Sequence, residues 1–411
     1  MTTFLRSSVG TIYSAIFGII LGLISWIFLF LVYLGIHLFW DGFILKENSK
    51  LLILTVCLIG GLLVGLCEKY IGKYPKTMED VIKEFKTTGS IEYKSLPKSI
   101  VKIFTILWFG ATVGPEAGLT GIIGGTSTLI SEFLKFGFKR KRHNKVQTNS
   151  TVEKIFEIPL YGLYNFTDEN DKKKVKAIKR LLYGTIILFS VITLFTLMSL
   201  DKKVSFITKF SPSIITKEDF IFLIPLFIIG LLIVFYSNIL DKIVFKIFKP
   251  LQKYKILHSI IGGLILGLLA ITIPFVLFSG EHTLKELIIR NSSLGIALLI
   301  LIGLIKLLSL KICVNTGWIG GPIFPIMFSS AAIGMACSYI FNISLPFSVA
   351  VVMATALAGI AENFKLTVIL IIWFFSINTW PFILVVAFAS EFITKKYLVP
   401  LFSRINKYPS I

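Results

Sequence analysis

One stretch gathers most of the residues able to do chemistry. Residues 110–118, GATVGPEAG, set a single carboxylate, Glu116, among glycines, and an apolar, small-residue run follows to Phe136. Pro115 has a fixed φ and no N–H, so it suits the first turn of a helix. Gly110, Gly114 and Gly118 permit close backbone approaches that larger residues forbid. A helix starting here within a bilayer aims its free N–H groups and positive dipole end at the space before it, which holds an anion without a full positive charge. Glu116 stands where that anion would sit. An ionisable group at such depth costs about 2.5–3.5 kcal/mol on insertion scales and marks function. The other reading is a carboxylate that only caps the free amides of its own helix.

A second stretch has the same layout. Asn315 to Phe341 opens with Gly317, Gly320, Gly321, Pro322 and Pro325 and continues as a helix rich in Ala, Ser and Gly. In each stretch an apolar segment ends at a Gly/Pro break and a small-residue helix follows. Paired breaks in the two halves of a membrane protein point to a midplane site between inverted repeats, although Gly and Pro are also common in membrane helices generally.

The elements that position these breaks are apolar spans. Of the 411 residues 55% are hydrophobic and 16% charged, and many windows exceed the roughly 20 apolar residues a bilayer requires. The run from Ile12 to Trp40 is too long for a signal-peptide core and reads as a retained first helix. Leu51–Leu66 follows, then a polar helix around Met78 to Phe85. The short run Ile100–Val113 leads into the Glu116 helix. Further spans are expected at Leu181–Leu200, Phe220–Ile239, Ile260–Leu277, Leu294–Leu310 and Ser348–Ile360, with one last long span ending at Phe388. The basic tail from Lys395 to Lys407 places the C-terminus on the cytoplasmic side.

Composition excludes other classes. The net charge of +20 resides in short loops between spans, where topology and anionic lipid account for it, so nucleic acid is not a partner. Cys57, Cys67, Cys313 and Cys337 lie in apolar segments and have no metal-ligand spacing. His37, His143, His258 and His282 are scattered. No nucleophile triad or phosphate loop is present, so the reading is a non-enzyme without a cofactor or metal.

The residues resemble the CLC family of chloride channels and chloride/proton antiporters. In place of the family's Gly-Lys/Arg-Glu-Gly-Pro stands Gly114-Pro115-Glu116-Ala117-Gly118, which puts Glu116 on the gating glutamate. The family's Gly-x-Phe-x-Pro is matched by Gly321-Pro322-Ile323-Phe324-Pro325, with Ile323 at the aromatic position and Phe324 shifted by one. FSGEHTLKEL, residues 278–287, resembles the Gly-Ser-Gly turn before the second-half spans. There are departures. Ile71-Gly72-Lys73-Tyr74-Pro75 keeps only the proline of Gly-Ser-Gly-Ile-Pro, and no serine hydroxyl is available there. Anchoring Phe-Asn-Ala-Pro-Leu-Ala-Gly on Phe156, Pro159, Leu160 and Gly162 brings the proton-passing glutamate onto Glu169, beside Asp168. Tyr397 is the match for the anion-coordinating tyrosine.

The resemblance implies an all-α polytopic membrane protein with a CLC-like fold, two inverted-topology repeats (1–180 and 181–411) and broken helices. It implies transport of a monovalent anion, most readily chloride, as a channel or anion/proton antiporter gated by Glu116. Gly114, Pro115, Ala117, Gly118, Gly321, Pro322, Ile323, Phe324 and Tyr397 would line the anion path, and Glu169 or Asp168 would carry protons. The expected setting is the plasma membrane, as a homodimer in lipid. A fluoride-selective exporter and an unrelated inverted-repeat secondary transporter are the alternatives.

Overall fold

The structure, a computed structural model, describes residues 2–44, 49–88, 91–128, 172–201, 208–212 and 215–401. The described residues are helical and contain no strand. The helices are α1 (Thr2–Ile36), α2 (Lys50–Tyr70), α3 (Met78–Thr88), α4 (Leu96–Trp108), α5 (116–128) and α6 (Lys172–Leu200). They continue as α7 (Leu223–Phe248), α8 (Lys255–Thr272), α9 (Leu284–Asn315), α10 (Ile323–Phe341), α11 (Leu345–Ala361), α12 (Phe364–Ile371) and α13 (Trp380–Ile393). Among the described residues six segments are long and apolar enough to cross a membrane, among them Ser14–Trp40, all of α2 and all of α8 to α10. The protein is therefore a multi-pass membrane protein.

Contacts divide the chain into two units. In the first (Met1–Leu34, Met78–Pro97, Leu119–Ser205), α1 and α6 meet at glycines. A Cβ on Gly18 would strike the Ile186 carbonyl, and one on Gly22 the Ser190 carbonyl. Such small-residue faces let helices approach closely in lipid, where the hydrophobic effect gives no drive between them.

The second unit (Gly35–Thr77, Lys98–Gly118, Phe206–Ile411) holds both Gly/Pro breaks. Here α2 and α8 pack backbone to backbone, Gly61 against Ser259 and Gly65 against Ile256. Helices α10 and α11 are buried over nearly their whole length. Two of their hydroxyls donate to carbonyls of neighbouring helices, Ser329 Oγ to Gly303 O (2.6 Å) and Ser348 Oγ to Gly334 O (2.7 Å), while Ser330, Ser338 and Thr355 donate within their own helices. In the absence of water such pairing is obligatory.

Two spans differ from their sequence reading. The run ending at Phe388 is two short helices, α12 and α13, separated by 3-10 turns at Ile372–Phe374 and Ile377–Thr379. The polar Ser376-Ile-Asn-Thr379 segment precedes Pro381, which starts α13 in the first turn where its missing N–H is not needed. Conversely, α9 begins at Leu284, ahead of the span expected from Leu294, with a break inside it at Gly295 (φ 76°).

Candidate functional site

The two breaks, far apart in sequence, are joined by backbone. Gly114 N donates to Gly321 O (2.7 Å) and Gly321 N to Gly114 O (2.8 Å), an isolated antiparallel bridge between otherwise helical segments. Pro115 turns the chain out of this bridge, and α5 starts at Glu116. On the other side Pro322 caps α10, whose first residues are Ile323 and Phe324. Two helix N-termini therefore open beside one another, each with first-turn amides that have no acceptor within their own helix and a positive dipole end.

The Glu116 side chain fills the space between them. Its Oε1 accepts from Phe324 N at 2.9 Å. Its carboxyl group lies where a Cβ on Gly114 or Gly321 would stand, so neither position has room for a side chain while the carboxylate is in place. Oε2 is shielded from solvent. Gly114, Pro115, Ala117, Gly118, Gly321 and Ile323 are buried around it, Phe324 is half-buried, and Pro322 is exposed. The carboxylate thus sits at the junction of the two breaks, held by a backbone amide of the second.

The strap between α8 and α9 closes against the first break. Phe278 N donates to Gly110 O (3.1 Å), and Thr112 Oγ1 to Val276 O (2.8 Å). The carbonyls of residues 275 to 278 converge on the Lys306 ammonium at 2.7–3.2 Å, and Phe328 lies under it with its ring centroid at 4.8 Å. Lys306 is fully buried. Glu281, at the end of the strap, is only 6% exposed.

Further from Glu116, Lys102 is fully buried in α4 and pairs with Glu68 of α2 while donating to Gly72 O (3.2 Å). This pair covers the turn at 71–75, where the serine motif is missing.

Sequence reasoning found Glu116 and both glycine breaks. It missed Lys306, Glu281, Lys102 and Glu68. A signal existed for the lysines, since each interrupts an apolar run and an ionisable group within a span is functional or structural by default. Tyr397 is 56% exposed in the turn Thr394–Leu398, under the Lys396 ammonium, and no hydrogen bond joins it to Glu116 or Phe324 among the described residues. Asp168 and Glu169 lie outside the described residues.

A multi-pass membrane protein whose broken helices meet at their N-termini is the class this geometry defines. The sequence model of the voltage gated chloride channel family matches residues 60–395. The chain belongs to that family, the CLC proteins, and its function is anion transport by a CLC-type channel or antiporter. Two solved structures share the fold. A CLC-type fluoride/proton antiporter is 17% identical with TM-score 0.65, over 96% of this chain and 97% of that one. A slow cyanobacterial Cl−/H+ antiporter is 18% identical with TM-score 0.71, over 97% and 98%. No curated protein matches the chain in sequence.

Proposed function

We propose that the protein carries a monovalent anion, chloride in the first instance, through the junction of the two breaks, and that Glu116 is its gate. The 2.9 Å bond from Phe324 N to Glu116 Oε1 carries this reading. A carboxylate held by the first amides of a neighbouring helix occupies a place that a free anion of the same charge can take instead. Ionised, Glu116 competes with the transported anion. Protonated, it loses its charge and its hold on the amides, and the site is free for the anion. Dipoles bind a partly dehydrated anion well enough to admit it and weakly enough to let it leave.

In an exchanger the proton that releases Glu116 continues across the membrane, and Glu169 or Asp168 receives it on the cytoplasmic side. Tyr397 belongs to the inner end of the same path. The paired breaks fit two inverted halves, 1–180 and 181–411, and the working unit is a homodimer with one pathway per subunit. Fluoride is the second reading for the cargo, because the 71–75 turn offers no serine hydroxyl to chloride.

Proteoliposomes loaded in turn with chloride, fluoride and nitrate test this, with anion efflux and external pH recorded together. We expect efflux of at least one monovalent anion, faster at acid pH. Vesicles that retain all three at every pH would overturn the reading.

A further inference from the structure

The Lys306 ammonium is held by groups that answer to charge more than to hydrogen-bond direction. Among the described residues its hydrogen bonds go to backbone carbonyls alone. Phe275 O, Val276 O, Leu277 O and Phe278 O surround Nζ at 2.8, 3.2, 2.9 and 2.7 Å. An ammonium has three N–H groups, so these carbonyls outnumber its donors. The ring of Phe328 in α10 adds its face, with the centroid 4.8 Å from Nζ. The strap reaches that ring because residue 280 is glycine: a Cβ there would stand 2.7 Å from the Phe328 side chain. Converging carbonyls and an aromatic face are two surfaces that recognise a desolvated monovalent cation.

The same carbonyls tie the cation to the first break. Val276 O accepts from Thr112 Oγ1 (2.8 Å) as well as from Lys306. Phe278 N donates to Gly110 O (3.1 Å) while Phe278 O faces the ammonium. Thr112 Oγ1 also lies 2.7 Å from Ser309 Oγ, three residues beyond Lys306 in α9. Gly114, which bridges to Gly321, follows Thr112 by two residues. Hydrogen bonds thus run from the ammonium through the strap to the residues just before the bridge.

We propose that residues 275–278 and Phe328 form a monovalent-cation site, filled from within by Lys306, and that the cation in it positions the first break. Lys306 is a positioning residue, acting on the anion path through the strap. That second part rests on the reading of the junction as the route of transport. With the site empty, consecutive carbonyl dipoles would face one another away from water, the strap would loosen, and Thr112 would lose a fixed acceptor.

The test is Lys306→Ala supplied with propylammonium, which has the atoms that alanine lacks. Propan-1-ol at equal concentration is the neutral filler, and N-methylglucamine chloride the background salt. We expect a saturable rise in melting temperature with propylammonium and little with propanol, and no response from wild type or from Lys306→Met. Anion efflux from Lys306→Ala vesicles falls about tenfold, as on losing a supporting outer contact elsewhere, and propylammonium restores it. Should Lys306→Ala fail to fold, Lys306→Arg and Lys306→Met decide: the charged variant keeps efflux and stability near wild type, and the neutral one loses both. Equal rescue by propanol, no rescue by either, or Lys306→Met matching wild type would overturn the cation site. Stabilisation by propylammonium without recovered efflux would overturn the positioning role. Melting temperatures decide the site whether or not Glu116→Gln upholds the gate, so the two readings fail separately.

Discussion

Gly114 and Gly321 exchange both of their backbone hydrogen bonds, and the carboxyl group of Glu116 rests against both of them. Neither glycine has a positive φ, so what they supply is space rather than an unusual backbone shape. The pairing turns two sequence breaks into one junction and aligns the first amides of α10 with the Glu116 carboxylate. It also makes the glycine positions informative, because a methyl group at either would compete with the Glu116 carboxylate for the same volume.

Gly114→Ala is therefore expected to displace the Glu116 carboxylate and spare the fold. The atoms nearest the new Cβ belong to the end of the Glu116 side chain, which can swing away. We expect a melting temperature in detergent close to wild type and an anion flux at alkaline pH that rises towards its acid value. A stable Gly114→Ala protein with an unchanged flux–pH curve would show that the carboxylate does not rest at the junction.

Lys306 holds the strap. Replacing it by methionine leaves several buried carbonyls of residues 275 to 278 without a donor, at a cost of about 1–3 kcal/mol for each left unsatisfied. Thermal unfolding of Lys306→Met in detergent should show a clear loss of stability. An unaltered melting temperature would mean that these carbonyls find other donors.

The Glu68–Lys102 pair makes a different prediction. Removing one partner strands the other charge in the interior and should cost about 3–5 kcal/mol, as either Glu68→Leu or Lys102→Leu. The double variant removes both charges and should be more stable than either single one. A double-mutant cycle on thermal stability checks this; additive losses would contradict it.

The long spans were legible because apolar runs of sufficient length have few other uses, and Glu116 was legible because glycine and proline encode a break directly. Hidden were the contacts made across the chain. Nothing near Gly114 announces Gly321 as its partner, since a two-residue bridge leaves no periodic pattern. Glu281 lies in FSGEHTLKEL, which the sequence offers only as a turn before the second-half spans, and its burial depends on the strap folding back onto residues 110–112. The last run was misjudged for a related reason. Hydropathy averages over Ser376 to Thr379 and registers one span where the backbone makes two short helices.

Coupled proton movement tests the cytoplasmic side of the proposal. Glu169→Gln combined with Asp168→Asn should keep anion flux and abolish the accompanying pH change outside the vesicles. A double variant that still moves protons with its anion would remove both residues from the relay.

The central claim is tested most directly by anion flux through Glu116→Gln in proteoliposomes at an acid and an alkaline external pH, beside the variant's thermal stability in detergent. Glutamine keeps the shape of the side chain and removes its charge, so it cannot compete for the site as an anion. The account predicts a folded protein whose flux is high and equal at both pH values. A carboxylate that served only as a helix cap would instead leave a less stable protein with its pH response intact. A well-folded Glu116→Gln protein whose flux still rises with acid as the wild type does would contradict the gate.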